Sequence, residues 1–401
     1  MNTPFYEREN KNMEKVRFGI IGVGNMGSGH SKNLLAGKVE NGVLAAVCDL
    51  KQSKLDAIKA LEGAENVATF TDYKEMLASG LIDVVIVAVP HYYHPPIVID
   101  ALNAGVNAIS EKPAGVYTKQ VKEMNAVAEK SDKMFGMMFN QRTNCLYRKM
   151  REMVQNGELG EIKRVNWVIT DWYRTQDYYD SGDWRATWKG EGGGVLFNQC
   201  PHQIDLLQWI VGMLPEKGHS FCHFGKWHDI EVEDDVTAYM EFPNGATGVF
   251  VTTTADAPGT NRFEITGTKG RLVCEKGKLV FDKLEVDERE HCKTAKGFAA
   301  PKYETIEVET DGQNLQHVGI MSNFANALLG LEPLFVKGVE GINGVQLMDA
   351  MMLSSWLGKE VTLPIDDELY LSELNKRIAS GRTKDAVADV VLDTDGTYGS
   401  K

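Results

Sequence analysis

Three glycines and one aspartate set up the first piece of chemistry in this chain. The turn Gly22-Val23-Gly24-Asn25-Met26-Gly27 closes an apolar run, Val16 to Val23. Gly22 permits a tight strand-to-helix turn, Gly24 lets backbone approach a pyrophosphate, and Gly27 allows a helix to pack closely on a strand. The helix N-terminus beyond, at Asn25 and Met26, offers N–H donors and the positive end of a dipole to phosphate groups. A glycine pattern alone says little. Here it follows a strand, opens a helix, and is answered by Asp49 at the end of the next apolar run, 22 residues past Gly27. A carboxylate in that place accepts bonds from ribose hydroxyls and repels a 2′-phosphate, which favours NAD over NADP.

The elements that must carry this turn alternate. Val16–Val23, Val43–Cys48, Asp83–Val89, Asn107–Ser110 and Met134–Phe139 read as strands. Between them Met26–Gly37, Ser53–Leu61 (with Ser53 as the N-cap), Pro96–Ala104 and Lys119–Lys130 read as helices. Such alternation predicts an α/β fold with a parallel sheet. Further along, Arg164–Thr170, Val236–Phe242, Thr247–Thr253, Arg262–Gly267 and Gly270–Cys274 read as strands separated by turns, with Asn244-Gly245 a hairpin signal. Leu315–Trp356 reads as helices. The expected division is a flexible arm at 1–14, a Rossmann domain at 15–140, a second α/β domain at 141–375, and a polar tail at 376–401.

Composition bounds the partners. The chain has 401 residues, 43% of them hydrophobic, and a net charge of −13. An acidic balance argues against nucleic acid or an anionic membrane as partner. The first fifteen residues carry no apolar core stretch, so no signal peptide is read there, and no apolar run is long enough for a membrane helix. Six scattered cysteines form no CxxC pair. A cytoplasmic protein is expected. His219, Cys222, His223 and His228 cluster in sequence but match no metal-ligand spacing, and no metal is expected.

Several motifs in order make the chain resemble the Gfo/Idh/MocA oxidoreductases, over about Val16 to Gly358. They are GVGNMG, VAVPHYYHP, SEKPAG, the NQR that begins at Asn140, GELGEI near residue 160, and GGGVLFNQCPHQID from Gly192 to Asp205. The resemblance implies a Rossmann domain followed by an α/β domain with a large, open, mostly antiparallel sheet. That sheet commonly forms the oligomer interface, implying a substrate and oligomerisation role for the 141–375 domain and a homodimer or homotetramer. It also implies that Pro90, His91, His94, Glu111, Lys112 and Asn140 surround the cofactor, with capping of the next helix as an equal alternative for His94.

The resemblance assigns Lys112 to the reacting centre, where a cation stabilises charge developing on oxygen as hydride leaves carbon. Pro113 is expected to hold an unusual turn, with a cis bond as one way. His202 is the expected base for the hydroxyl proton. Asp205 and Asn198 lie three residues after and four before it, on one helical face, if a helix begins near Gly194 and bends at Pro201. Asp205 would hold the imidazole or a substrate hydroxyl. Many relatives carry Asp at position 198; Asn takes no proton, so the base role falls on His202. Arg142, Tyr173, Arg174, Trp184, Arg185 and Trp188 offer guanidinium forks and aromatic faces suited to sugars. The segment Trp172–Trp188 reads as a substrate-covering loop or, with equal weight, an oligomer contact.

The leading expectation is therefore an NAD-dependent dehydrogenase acting on a secondary alcohol of a sugar or glycoside, the C3 hydroxyl of a glucoside included. The alternatives are an inositol or cyclic polyol dehydrogenase, redox-neutral NAD-dependent glycoside cleavage, and a non-catalytic NAD-binding regulator.

Overall fold

The computed structural model describes residues 15–382 and 384. The first apolar run forms β1 (Val16–Ile21), and the glycine turn opens α1 (Asn25–Leu35). The alternation continues with β2 (Gly42–Cys48), α2 (Gln52–Lys59), β3 (Ala68–Phe70), α3 (Tyr73–Ala78) and β4 (Val84–Val87). Then come α4 (His94–Asn103), β5 (Asn107–Ser110), α5 (Thr118–Ala128) and β6 (Phe135–Met137). These six strands pair in parallel in the order β3-β2-β1-β4-β5-β6. β4 is buried along its whole length, which is why its sequence is unbroken Val and Ile. The order reverses between β1 and β4, and a crevice at the carboxyl ends of strands is expected at such a switch.

Two sequence expectations change here. Ser53 is not the cap of α2: the N-cap is Lys51, with no side-chain capping bond, and Ser53 lies inside the first turn. β3 and α3 went unread because three and six residues are too short to show a period.

The second unit begins with α6 (Cys145–Gln155), β7 (Ile162–Ile169), α7 (Gln176–Asp180) and α8 (Pro201–Val211). β8 (Lys217–Phe224), β9 (Glu233–Glu241), β10 (Thr247–Thr253), β11 (Asn261–Gly267), β12 (Gly270–Glu275) and β13 (Lys278–Leu284) follow, then α9 (Glu288–Thr294) and β14 (Tyr303–Glu307). The chain ends through α10 (Gln316–Leu328), α11 (Gly341–Leu357), β15 (Val361–Thr362) and α12 (Asp367–Ser380). The nine-stranded sheet runs β14-β13-β12-β11-β7-β10-β9-β8-β15. Its pairs are antiparallel except β7 with β10. Asn244-Gly245 does turn the β9–β10 hairpin, with Gly245 at φ 81°. Inside the sheet Trp167 stacks on Phe263 at 4.1 Å between ring centroids.

The division of the chain is not contiguous. Residues 315–345 group with the first unit rather than with the expected 141–375 domain. Phe324 of α10 lies against Gly136 of β6, so closely that a Cβ at Gly136 would meet its ring at 3.0 Å. Lys337 forms a bridge to Gly136, and the Asn125 side chain donates to the Val339 carbonyl at 3.0 Å. The expected tail at 376–401 begins as the last turn of α12; residues 383 and 385–401, like the arm at 1–14, lie outside the described residues.

The bent helix expected from Gly194 is also corrected. α8 starts at Pro201, its first helical residue, and residues 195–199 wind as turns. Proline belongs at that position because its missing N–H has no helical acceptor to lose. Asn198 therefore stands outside the helix, and the one-face argument holds only for His202 and Asp205. Among the described residues no helix is long and apolar enough to cross a membrane.

Candidate active site

The glycine turn is built as a cradle. Gly22 has φ 87°, and a Cβ there would lie 2.4 Å from the Ala88 carbonyl oxygen. A Cβ on Gly27 would lie 1.9 Å from the Gly22 oxygen, so helix and strand touch at backbone distance. Gly24 is different: a Cβ there would meet nothing within 4 Å. Its bare face opens outward at the N-terminus of α1, which has no side-chain cap. Asp49 is aimed by its neighbours, its Oδ2 accepting from Val23 N at 3.0 Å and its Oδ1 from Lys51 N at 3.0 Å. An open backbone face on a helix dipole, beside an oriented carboxylate, fits a dinucleotide.

Lys112 follows β5, half-buried, and its peptide bond to Pro113 is cis. The residues around it are less available than the sequence suggested. Glu111 is buried, with Oε1 accepting from His30 Nε2 at 2.7 Å and Oε2 from Lys112 N at 3.2 Å. Burial pushes its carboxyl up, but the His30 hydrogen bond and charge outweigh this and hold it at about 2. His317 at the start of α10 stands 5.2 Å from the His30 ring, and burial pushes its imidazole down to about 4. His94 is 1% exposed, with ring nitrogens on the Pro113 and Val89 carbonyls. Asn140 is fully buried and its amide meets the Gln316 side chain. Glu111, His94 and Asn140, each expected beside the cofactor, are enclosed by protein, and the hydrogen bonds described here join them to protein groups. Pro90, Asn25, Met26 and Lys112 keep exposed surface; His91 is buried, its ring 5.9 Å from that of His94.

In the second unit His202 lies buried in the first turn of α8. Arg142 and Asp205, each read as a substrate ligand, instead bond each other: Nε to Oδ2 and Nη2 to Oδ1, both at 2.7 Å. Both side chains are 1% exposed. A fork-to-fork pair this enclosed fixes the start of α8 and holds the two groups to each other. Asn198 is partly exposed; its amide nitrogen donates to Glu191, while its oxygen faces the Tyr178 hydroxyl at 3.4 Å. Tyr178 also accepts from Arg185 at 2.7 Å and Gln199 at 3.1 Å. The Arg185 guanidinium covers the rings of Tyr178 and Trp184 at 4.4 and 4.7 Å. Tyr173 is half exposed, whereas Trp188 is buried. Lys384, in the segment assigned no chemistry, donates to the Tyr179 and Arg185 carbonyls at 2.9 and 3.0 Å.

Beneath this segment Glu233 of β9 accepts from Leu196 N at 3.0 Å. Burial, reinforced by the charge of Glu191, pushes its carboxyl up to about 8 against the pull of backbone N–H groups. His30, His317, Tyr178, Glu191 and Glu233 were all missed from sequence. His30 and Glu233 meet partners 81 and 37 residues away, and spacing carries no signal for such pairs; Tyr178 and Glu191 bond within seven residues but in turns without a period. His228, from the loose His/Cys group, bonds Asp234 and the Arg174 carbonyl at 3.1 and 3.0 Å. Among the described residues no set of three or more His, Cys, Asp or Glu is arranged for a metal.

Comparison with known proteins agrees with this geometry. Residues 16–139 match the model described as "Oxidoreductase family, NAD-binding Rossmann fold", and 147–273 match the "GFO/IDH/MocA C-terminal domain". The chain is 26% identical over 267 residues to myo-inositol 2-dehydrogenase of Thermotoga maritima, covering 65% of this chain and 75% of that one. It is 32% identical over 218 residues to D-glucoside 3-dehydrogenase of Escherichia coli, covering 50% and 60%. It is 29% identical over 195 residues to the alpha-N-acetylgalactosaminidase of Shewanella oneidensis, covering 46% and 42%. Among solved structures it is similar to the WlbA dehydrogenase of Bordetella pertussis in complex with NADH and UDP-GlcNAcA, with a TM-score of 0.74 and 26% identity over 88% of this chain and 99% of that one. The cradle at Gly24, the carboxylate at Asp49 and the two family domains in sequence establish that this chain belongs to the GFO/IDH/MocA family of NAD-binding oxidoreductases.

Proposed function

We propose that this chain is a cytoplasmic NAD-dependent dehydrogenase that oxidises a secondary alcohol of a sugar or glycoside, such as the C3 hydroxyl of a glucoside. One observation carries the reading. Asp49 follows β2 and Lys112 follows β5, on opposite sides of the β1–β4 switch whose glycine turn cradles the pyrophosphate. A cation is therefore presented on the half of the sheet away from the ribose-binding carboxylate. Bound NAD supplies the hydride acceptor. Lys112 stabilises negative charge on the substrate oxygen, and His202 takes the hydroxyl proton. Asn198, locked by Glu191 and Tyr178, serves as a fixed polar contact rather than a base. Tyr173, Trp184 and Arg185 offer the aromatic and guanidinium surface a sugar ring needs.

Reduced-nicotinamide absorbance, followed with glucosides, free sugars and inositols, tests the proposal. Lys112→Met and His202→Ala are each expected to abolish turnover while NAD still binds; wild-type turnover in either would refute the assigned role. The likeness to the galactosaminidase favours a second reading, glycoside cleavage with no net redox change. It requires product formation with no NAD added and cofactor retained through purification. The nine-stranded sheet, with Phe221 and Tyr239 exposed on neighbouring strands, is proposed as the self-association surface. Light scattering of Phe221→Lys against wild type reads this directly.

A further inference from the structure

The Glu111–Lys112–Pro113 turn is gripped on both sides by buried histidines that take no part in the chemistry described above. His30 projects from the first turns of α1, behind the glycine cradle, and is 1% exposed. A carboxylate only accepts, so His30 Nε2 donates to Glu111 Oε1, at 2.7 Å. Glu111 then spends its second oxygen on the backbone N–H of Lys112. The residue before Lys112 is fixed in this way through its side chain.

The residue after it is fixed through its carbonyl. His94 opens α4, and its Nδ1 lies 2.7 Å from Pro113 O while its Nε2 lies 2.7 Å from Val89 O, just past the end of β4. Carbonyl oxygens only accept. A neutral imidazole carries one N–H and donates to one of the two carbonyls according to its tautomer, and only the cation donates to both. The charged groups facing it are Glu111, which favours that cation, and Lys112, which opposes it, with the His91 ring 5.9 Å away. Burial outweighs the two carbonyls and lowers the ring's pKa below its usual value, which favours the neutral form.

We propose that His30 and His94 are positioning residues for Lys112: with His30 donating to Glu111 on one side and His94 hydrogen-bonded between the Pro113 and Val89 carbonyls on the other, they fix the backbone that aims the Lys112 ammonium. The inference rests on the role given to Lys112 under the proposed function. A displacement of about 1 Å at a reacting group costs on the order of 100-fold in rate. His30→Leu and His94→Leu are therefore expected to lower kcat by roughly 10- to 100-fold with little change in KM for NAD. His94→Gln, which keeps donors on one nitrogen, should fall between His94→Leu and wild type. Adding His94→Leu to Lys112→Met should lower the residual rate no further, because the group being aimed is gone.

The outcomes separate. A fully active Lys112→Met refutes the role of Lys112. An inactive Lys112→Met beside folded leucine variants with wild-type kcat overturns the clamp and leaves Lys112 standing. If the leucine variants do not fold, the wild-type holoprotein decides through long-range ¹H–¹⁵N spectra of its histidine rings. A proton on His94 Nδ1 and a protonated Nε2 on His30 support the clamp; an unprotonated His94 Nδ1 or an unprotonated His30 Nε2 overturns it.

Discussion

Glu233 makes the protein's stability depend on pH in an unusual direction. Its carboxyl is fully enclosed by β9 and the turn before α8, with Oε1 bound to Leu196 N and Oε2 buried without a hydrogen-bond partner. Burial first, and the nearby Glu191 charge, raise it from 4.5 to about 8. Below pH 4.5 the group is protonated in both folded and unfolded chains and contributes no pH dependence. Between 4.5 and about 8 the unfolded chain has lost the proton that the folded chain keeps, so stability falls as pH rises. At about 1.4 kcal/mol per pH unit the interval sets a ceiling near 5 kcal/mol. Relaxation and water entry around a buried carboxylate reduce this to roughly 2–4 kcal/mol. Glu233→Gln holds the shape of the protonated acid and cannot ionise. Denaturant unfolding of both proteins at pH 5, 6, 7, 8 and 9 (about one-unit steps, to span the interval) gives the difference curve. The variant should gain on the wild type by about 2–4 kcal/mol from the acid to the alkaline end. Parallel curves would mean that Glu233 ionises in the folded protein at an ordinary pKa, and the argument from burial would be wrong.

Four other substitutions probe the frame. Gly24→Ala should leave thermal unfolding unchanged, since its Cβ meets no protein atom within 4 Å, yet weaken NAD binding roughly tenfold or more; Gly27→Ala, whose Cβ falls 1.9 Å from the Gly22 oxygen, should destabilise by about 1–3 kcal/mol as well. Calorimetric titration beside a melting curve separates the two, and an equal loss of stability in both would refute the distinction. Asp49→Ser removes the repulsion toward a 2′-phosphate and should shift the NAD-to-NADP preference by about tenfold, near 1.4 kcal/mol; an unchanged ratio of dissociation constants would show that Asp49 does not read the ribose. Arg142→Leu strands a buried Asp205 carboxylate and should cost about 3–5 kcal/mol in denaturant unfolding. A loss under 1 kcal/mol, the range of exposed pairs, would contradict the enclosed geometry.

Local chemistry was readable because local spacing carries it. The turn from Gly22 to Gly27 constrains backbone within six residues, and β10 falls at Thr247–Thr253 as its alternation predicts. Asn244-Gly245 marks its hairpin by the left-handed conformation that glycine permits. Pro201 was ambiguous, since a proline fits both a kink and a first turn, and the turns holding Leu196 to Glu233 favour the second. Arg142 and Asp205 show the limit more sharply. Each side chain suits a sugar hydroxyl when considered alone, and their separation of 63 residues hides that each is the other's partner.

Sequence alone is enough for the dinucleotide cradle, the acidic residue after β2, most strands and helices of the first unit, and the family. These follow from backbone freedom at glycine and from periods of burial, which neighbours in the chain decide. Only the tertiary structure decided which polar groups remain available for chemistry. It enclosed Arg142, Asp205, Glu111, His94 and Asn140 and gave them partners far along the chain. It also brought His30 to Glu111 across 81 residues and returned residues 315–345 to the first unit. A buried charge or donor must find a partner wherever the fold supplies one, and that supply is a property of packing in three dimensions rather than of order along the chain.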